Sequence, residues 1–192
     1  MRIGYFLTRA FSLAKIYLNK IYFYLLSDYK FWQKGRGQGL IFKNHPNVSI
    51  GDNTTFGVEQ SPNFFSTYSY IDCRLEMDSI SIGNNCHFNN NLCLIARGAS
   101  IEINDNCLFG FNVSITTSDF HDLSPANRYS PKDIKCGDVI IGTNVFLGND
   151  VKVLKGVTIG SNSVVAANST VVNDIPANVI AGGSPAKTIR SI

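Results

Sequence analysis

At 192 residues the chain has room for one substantial domain and a short appendage. A formal net charge of +3, with no Arg-rich helix, speaks against nucleic-acid binding. Five Cys without a C-x-x-C pair read as reduced thiols of a cytoplasmic protein, and three His spaced far apart speak against a zinc site.

Residues 1–40 form a first unit, predicted helical. Residues 1–30 are rich in aromatic and aliphatic side chains, with Arg2, Arg9, Lys15 and Lys20 between them. The longest unbroken apolar run, Ile21 to Leu26, is far short of the roughly 20 residues that span a bilayer. No small-residue cleavage site follows an apolar core, so a signal peptide is not expected. Two readings stay open. The helix packs on its own domain or a neighbouring subunit, or it lies on the inner face of a membrane with its basic residues meeting anionic lipid.

Residues 41–192 carry a six-residue period. It is clearest at Ile141, Leu147, Val153, Ile159, Val165 and Val171. A second apolar set, Val139, Val145, Val151 and Val157, stands two positions earlier. Gly, Asn and Asp fill the gaps, and they adopt left-handed backbone angles at little cost. Neither a helix nor a simple strand has this pattern. A short strand followed by a corner, repeated, builds a β-solenoid whose stacked coils share one core. The period recurs earlier at Ile50 and Phe56, then at Ile82, Phe88 and Leu94, and, after a three-residue insertion, at Ile103, Phe109 and Ile115. Cys86 and Cys107 fall at inward positions and read as small core hydrophobes.

Between Ile115 and Ile141 the period stops. The stretch holds Pro125 and Pro131 and predicts a loop over about 116–138 that leaves the solenoid. It carries His121 between Asp119 and Asp122. An imidazole there suits proton abstraction near neutral pH. His87 lies within the repeat, and His45 sits beside Pro46 where the solenoid begins.

The stretch IGTNVFLGNDVKVLKGVTIGSNSVVAANSTVVNDIP, the closing AGGSPAKTIR, and the loop SDFHDL followed by NRYSPKDI together resemble the hexapeptide-repeat acyltransferases. The likeness is to their sugar and polysaccharide O-acetyltransferase branch and covers roughly residues 45 to 192. It implies a left-handed parallel β-helix, a handedness that the period itself does not supply. It also implies a homotrimer with active sites between subunits, acetyl-CoA as co-substrate and no metal. His121 matches the family's catalytic base. Asp119, Asp122 or a backbone carbonyl would orient it. Asn89 aligns with an Asn that contacts the acceptor sugar, and Phe146 stands where relatives often have Trp, keeping the apolar wall without the indole N–H. Gly148 with Ala166 or Ala167 would line the CoA slot, and Lys187 and Arg190 would meet its phosphates. Val172 and Asn173 replace a Thr-Lys pair of some relatives, which removes one cation from that grip.

The resulting expectation is acetyl transfer from acetyl-CoA to a hydroxyl of a sugar or surface polysaccharide of capsule, sialic acid or O-antigen type. Two alternatives remain: N-acetylation of an amino-sugar nucleotide, and a non-catalytic solenoid for binding or assembly. A carbonic anhydrase on this fold would need two His close in sequence, which the chain lacks.

Overall fold

A computed structural model describes residues 2–32 and 37–192, with side chains from Leu7 onward. Met1 and residues 33–36 of the expected N-terminal unit lie outside the described residues. One helix, α1 (Arg2–Leu26), is followed by strands arranged as successive coils. The first coil contains β1 (Leu40–Asn44), β2 (Val48–Ile50) and β3 (Thr55–Phe56), and the second β4 (Ser69–Cys73), β5 (Ile80–Ile82) and β6 (His87–Phe88). The third has β7 (Cys93–Ala96), β8 (Ile101–Ile103) and β9 (Leu108–Phe109), and the fourth β10 (Ser114–Thr116), β11 (Val139–Ile141) and β12 (Phe146–Leu147). Then come β13 (Lys152–Val153), β14 (Thr158–Ile159) and β15 (Val164–Val165). The last coil has β16 (Thr170–Val171) and β17 (Val179–Gly183), and β18 (Ala186–Ser191) folds back antiparallel on β17.

Each of the first five coils gives one strand to each of three parallel sheets, here A, B and C in the order the chain meets them, and the last coil gives strands to A and C and an isolated bridge at Ile175 to B. The solenoid is therefore a three-faced prism, and it is a left-handed β-helix, as expected. Its steps are far shorter than the helical crossovers behind the usual right-handed preference.

The period of six is a consequence of stacking. On sheet B the inward ladder is Ile50, Ile82, Ile103, Ile141, Ile159 and Ile175, each beside the next. On sheet C it runs Phe56, Phe88, Phe109, Leu147, Val165 and Ala181, so side-chain volume falls toward the C-terminus. Sheet A stacks Phe42, Ile71, Leu94, Ile115, Val153 and Val171. Cys86 and Cys107 are fully buried between these ladders, as expected.

The corners are equally regular. Between sheets B and C the left-handed position is taken by Asn53, Asn85, Asn106, Asn144, Asn162 and Asn178, with φ between 54 and 62°. Their amides bond along the axis, Asn144 Nδ2 to Asn162 Oδ1 and Asn162 Nδ2 to Asn178 Oδ1, both at 3.0 Å. Asn at this corner thus meets the backbone angle and links neighbouring coils.

Helix α1 is shorter than the expected 1–40 unit. Lys30 Nζ ends it by bonding the carbonyls of Tyr24, at 3.0 Å, and Ser27, at 2.7 Å. Tyr29 and Phe31 then cover Phe42, with ring centroids 5.0 and 5.3 Å away, and close the open end of the core. A second excursion, residues 57–68, leaves the corner between sheets C and A, where the sequence analysis placed no loop. Asn90, fully buried, holds it. Its Nδ2 donates to the carbonyls of Val58, Ser61 and Pro62 at 3.0, 3.1 and 2.8 Å, and its Oδ1 accepts from the Val58 N–H at 2.9 Å.

Candidate functional site

The long loop runs between Thr116 and Val139, at the corner between sheets A and B. An isolated antiparallel bridge between Ser118 and Cys136 closes its base. Asp119 fastens it to the next coil through an ion pair with Lys155 Nζ at 2.6 Å. Phe120 comes next, with φ 61°. Among the described residues it is the one positive-φ position that is not Gly, Asn or Asp. That conformation costs a bulky residue about 1–2 kcal/mol. Three contacts offset the cost. The Phe120 N–H donates to Ser118 Oγ at 3.0 Å, its carbonyl accepts from Arg97 at 3.3 Å, and the Arg74 guanidinium lies 5.0 Å from its ring. A backbone forced into this shape immediately before His121 aims the imidazole.

His121 is exposed, and its Nδ1 lies 3.1 Å from the carbonyl oxygen of Arg128. A carbonyl can only accept, so Nδ1 carries the proton and donates it. In the neutral imidazole Nε2 then keeps its lone pair, the tautomer a general base requires. The imidazole's partner is thus the backbone carbonyl of Arg128, while Asp119 and Asp122 bond elsewhere. Asp119 is turned to Lys155, as described. Asp122 is buried and serves the loop itself. Its Oδ1 accepts from the Ser124 N–H at 2.8 Å, and its Oδ2 from Lys132 and Asp133 N–H at 3.3 and 3.2 Å.

The Ser124 N–H leads the backbone donors that hold the Asp122 carboxyl below the usual carboxylate range. A lowered folded-state pKa means the anchor is fully present above the unfolded pKa and is lost as pH falls through the folded one. We expect acidification below about pH 4, the ordinary carboxylate range, to loosen residues 118–136 before the coils. Amide exchange by mass spectrometry checks this. Asp122→Ala should give the same local loosening at neutral pH, whereas equal protection of the loop in both proteins would show that the anchor is idle.

The other expected residues lie elsewhere on the prism. Asn89 follows β6 at the corner between sheets C and A, with Nδ2 donating to Ser61 Oγ at 3.0 Å and Oδ1 accepting from the Asn90 N–H at 2.7 Å. Gly148 and Ala166 follow β12 and β15 at that same corner, two and three coils on. A Cβ on Gly148 would meet the Ala167 nitrogen at 2.6 Å, so adjacent coils there approach too closely for a side chain. Phe146 projects from the outer face of sheet C and is exposed, flanked by Leu108 and Val164. Lys187 and Arg190 are exposed on β18, beside Gly182 and Ile180. The chain therefore gathers Asn89, Phe146, Gly148, Ala166 and Ala167 along sheet C and its C–A edge, and keeps His121 on the A–B edge. His87, also on the outer face of sheet C, pairs through Nδ1 with Thr55 Oγ1 at 2.8 Å. Among the described residues no group of three His, Cys, Asp or Glu could hold a metal ion.

The family model of bacterial transferase hexapeptide proteins, six repeats long, matches residues 138–173. A protein of Staphylococcus aureus (strain COL) that bears the name of an acetyltransferase is 31% identical over 184 residues, 93% of this chain and 90% of its own. This chain belongs to the hexapeptide transferases. Galactoside O-acetyltransferase of Escherichia coli (strain K12) is 38% identical over 114 residues. That match covers 59% of this hexapeptide transferase and 55% of the E. coli protein, and the chain spans only 55–57% of several curated relatives. A hexapeptide-repeat acetyltransferase of Vibrio cholerae, solved with acetyl coenzyme A, superposes with a TM-score of 0.58 at 30% identity, over 76% of this hexapeptide transferase and 70% of that one.

One feature of the hexapeptide transferase's site carried no readable signal, and a second carried an indirect one. The Arg128 carbonyl is backbone, which no residue letter reports. Asn90 stood unremarked beside Asn89 although it is the buried partner that holds the 57–68 excursion. The long gap between Phe56 and Ile82, against the regular coil of eighteen residues from Ile141 to Ile159, was the available clue to that excursion.

Proposed function

We propose that this protein transfers the acetyl group of acetyl-CoA to a hydroxyl of a sugar or surface polysaccharide, in the cytoplasm, with His121 as general base. The observation that carries the reading is the bond from Nδ1 to the Arg128 carbonyl, which gives the neutral imidazole a free Nε2 lone pair on a loop held in a costly conformation. In the reaction Nε2 takes the hydroxyl proton as the oxygen attacks the thioester carbonyl. The C–O bond forms, the C–S bond breaks, and the proton passes to the departing thiolate of CoA. The names of the E. coli and V. cholerae relatives support the acceptor class and the acetyl donor respectively.

We further propose that the site is completed between subunits of a homotrimer. One chain holds the base and the expected ligand residues on different edges, so a neighbour's A–B edge must come to this chain's sheet C. The outer face of sheet C suits such a contact. Beyond Thr55 and His87, Leu108, Phe146, Val164 and Ile180 form an unbroken apolar row across it, whereas the outer face of sheet B carries Ser49, Ser81, Glu102, Ile140 and Thr158. Leu123 and Tyr129 on the His121 loop are also largely exposed and would meet the neighbour. Gly148, Ala166 and Ala167 would line the pantetheine slot, and Lys187 and Arg190 would receive the CoA phosphates.

The test is subunit complementation. His121→Ala and Asn89→Ala are each expected to be nearly inactive in CoA release with a sugar acceptor panel. Co-expressed and randomly mixed, they should recover about a quarter of the wild-type rate, because that share of interfaces pairs an intact His121 with an intact Asn89. No recovery, with CoA still bound, would place the whole site in one chain. Acetylation of amino sugars alone would reassign the acceptor, and no CoA binding at millimolar ligand would leave a non-catalytic solenoid.

A further inference from the structure

Helix α1 is amphipathic in an unusual sense: it turns an apolar stripe away from its own domain. The face toward the solenoid mixes polar contacts with apolar ones. Ser12 Oγ donates to Glu59 at 2.6 Å, Asn19 Nδ2 donates to the Phe65 carbonyl at 3.1 Å, and Lys20 is buried against the Trp32 ring at 5.1 Å. Ile16 is the buried apolar anchor there, and the Phe23 ring stacks 4.7 Å from Tyr68. On the opposite side stand Leu7, Phe11, Leu18, Tyr22 and Leu25, each between 58 and 82% exposed. At 3.6 residues per turn these five lie within about 60° of one line and run for about 27 Å. Large apolar side chains aligned in this way are not left in water without a partner.

Charge selects the partner. From Arg2 to Leu26 the helix has no Asp or Glu, and it carries Arg9, Lys15 and Lys20 along its length. Lys15 is exposed at the margin of the stripe, and Tyr17, Tyr22 and Trp32, all partly exposed, supply the amphipathic rings favoured where hydrocarbon meets water. A second copy of so cationic a helix would be repelled, and nucleic acid has no use for an apolar centre. Among the described residues no helix is long and apolar enough to cross a bilayer. We propose that α1 docks in the plane of an anionic membrane surface, with Leu7, Phe11, Leu18, Tyr22 and Leu25 in the acyl boundary and Lys15, exposed at the edge of the stripe, among the lipid headgroups. The docking does not depend on the acetyl-transfer reading, because vesicle partition and CoA binding are measured separately.

The experiment is flotation of the full chain with vesicles of phosphatidylcholine alone or with about one third phosphatidylglycerol, a fraction at which surface charge is felt. Wild-type protein should float with the anionic vesicles, weakly with the neutral ones, and less as salt is raised. The double variant Phe11→Glu/Leu18→Glu replaces exposed side chains only and should partition about a hundredfold less. Its melting temperature and its stabilisation by CoA should match wild type. Lys15→Glu should lower partition on the anionic vesicles selectively. Wild-type protein that stays at the bottom of both gradients, equal flotation on both vesicles, or undiminished flotation of the double variant would each overturn the proposal. So would a wild-type assembly in lipid-free solution larger than that of the double variant, which would give the stripe to a second copy.

Discussion

His121→Ala is expected to lower kcat by about a hundredfold to ten-thousandfold, the usual worth of a positioned general base, while leaving CoA binding within about twofold of wild type. An alcohol is a poor nucleophile at neutral pH, so the loss falls on the chemical step. The structure limits what else the substitution could do. The imidazole is exposed and makes one hydrogen bond, to the Arg128 carbonyl, so its removal opens no cavity and orphans no buried donor. Single-turnover rates and calorimetric CoA affinity, measured on the same preparation, separate the two effects. Retention of full rate on an acceptor that wild type uses would remove His121 from the reaction. Asp119→Asn is the informative companion. Asp119 reaches Lys155 rather than the imidazole, so this change should cost less than His121→Ala and should loosen the base of the loop.

The largest effect on stability is expected in the core, on the inward ladder of sheet C. Phe88→Ala should destabilise the solenoid by about 3–5 kcal/mol in urea unfolding. Phe88 is 1% exposed and sits between two rings of its own ladder, with centroids 5.0 Å from Phe56 and 4.9 Å from Phe109. Parallel strands lock these coils in register, so the neighbouring rings cannot slide together to fill the gap. The loss therefore includes both transfer from water and a residual cavity. Val165→Ala, on the same ladder beside Ala181, removes less volume and should cost less than half as much. Near-equal losses would mean that the coils relax along the axis more freely than the ladders imply.

The fold was legible because every inward position repeats its environment. Ile141 and Ile159 occupy equivalent sites one coil apart, as do Leu147 and Val165, so burial writes a period directly into the letters. The corners are written there too, since Asn144 and Asn162 meet the same left-handed requirement. The loop was legible as a break in that period, and His121 as the imidazole within it. The group that holds His121 was not, because Arg128 contributes a carbonyl that any residue would bring. Asp119 and Asp122 flank His121 in the chain, yet the backbone turn at Phe120 directs them to Lys155 and to the loop's own N–H groups.

By itself, then, the amino-acid order determined the stacked coils, their Ile and Phe ladders and their Asn corners, because these depend on contacts that recur at a constant short spacing. Only the tertiary structure decided that His121 stands on one edge of the prism and Asn89 with Gly148 on another, that Asn90 rather than Asn89 holds the 57–68 excursion, and that α1 shows its apolar side outward. Those outcomes depend on where irregular segments settle against distant coils and on backbone groups common to all residues, and neither leaves a periodic mark.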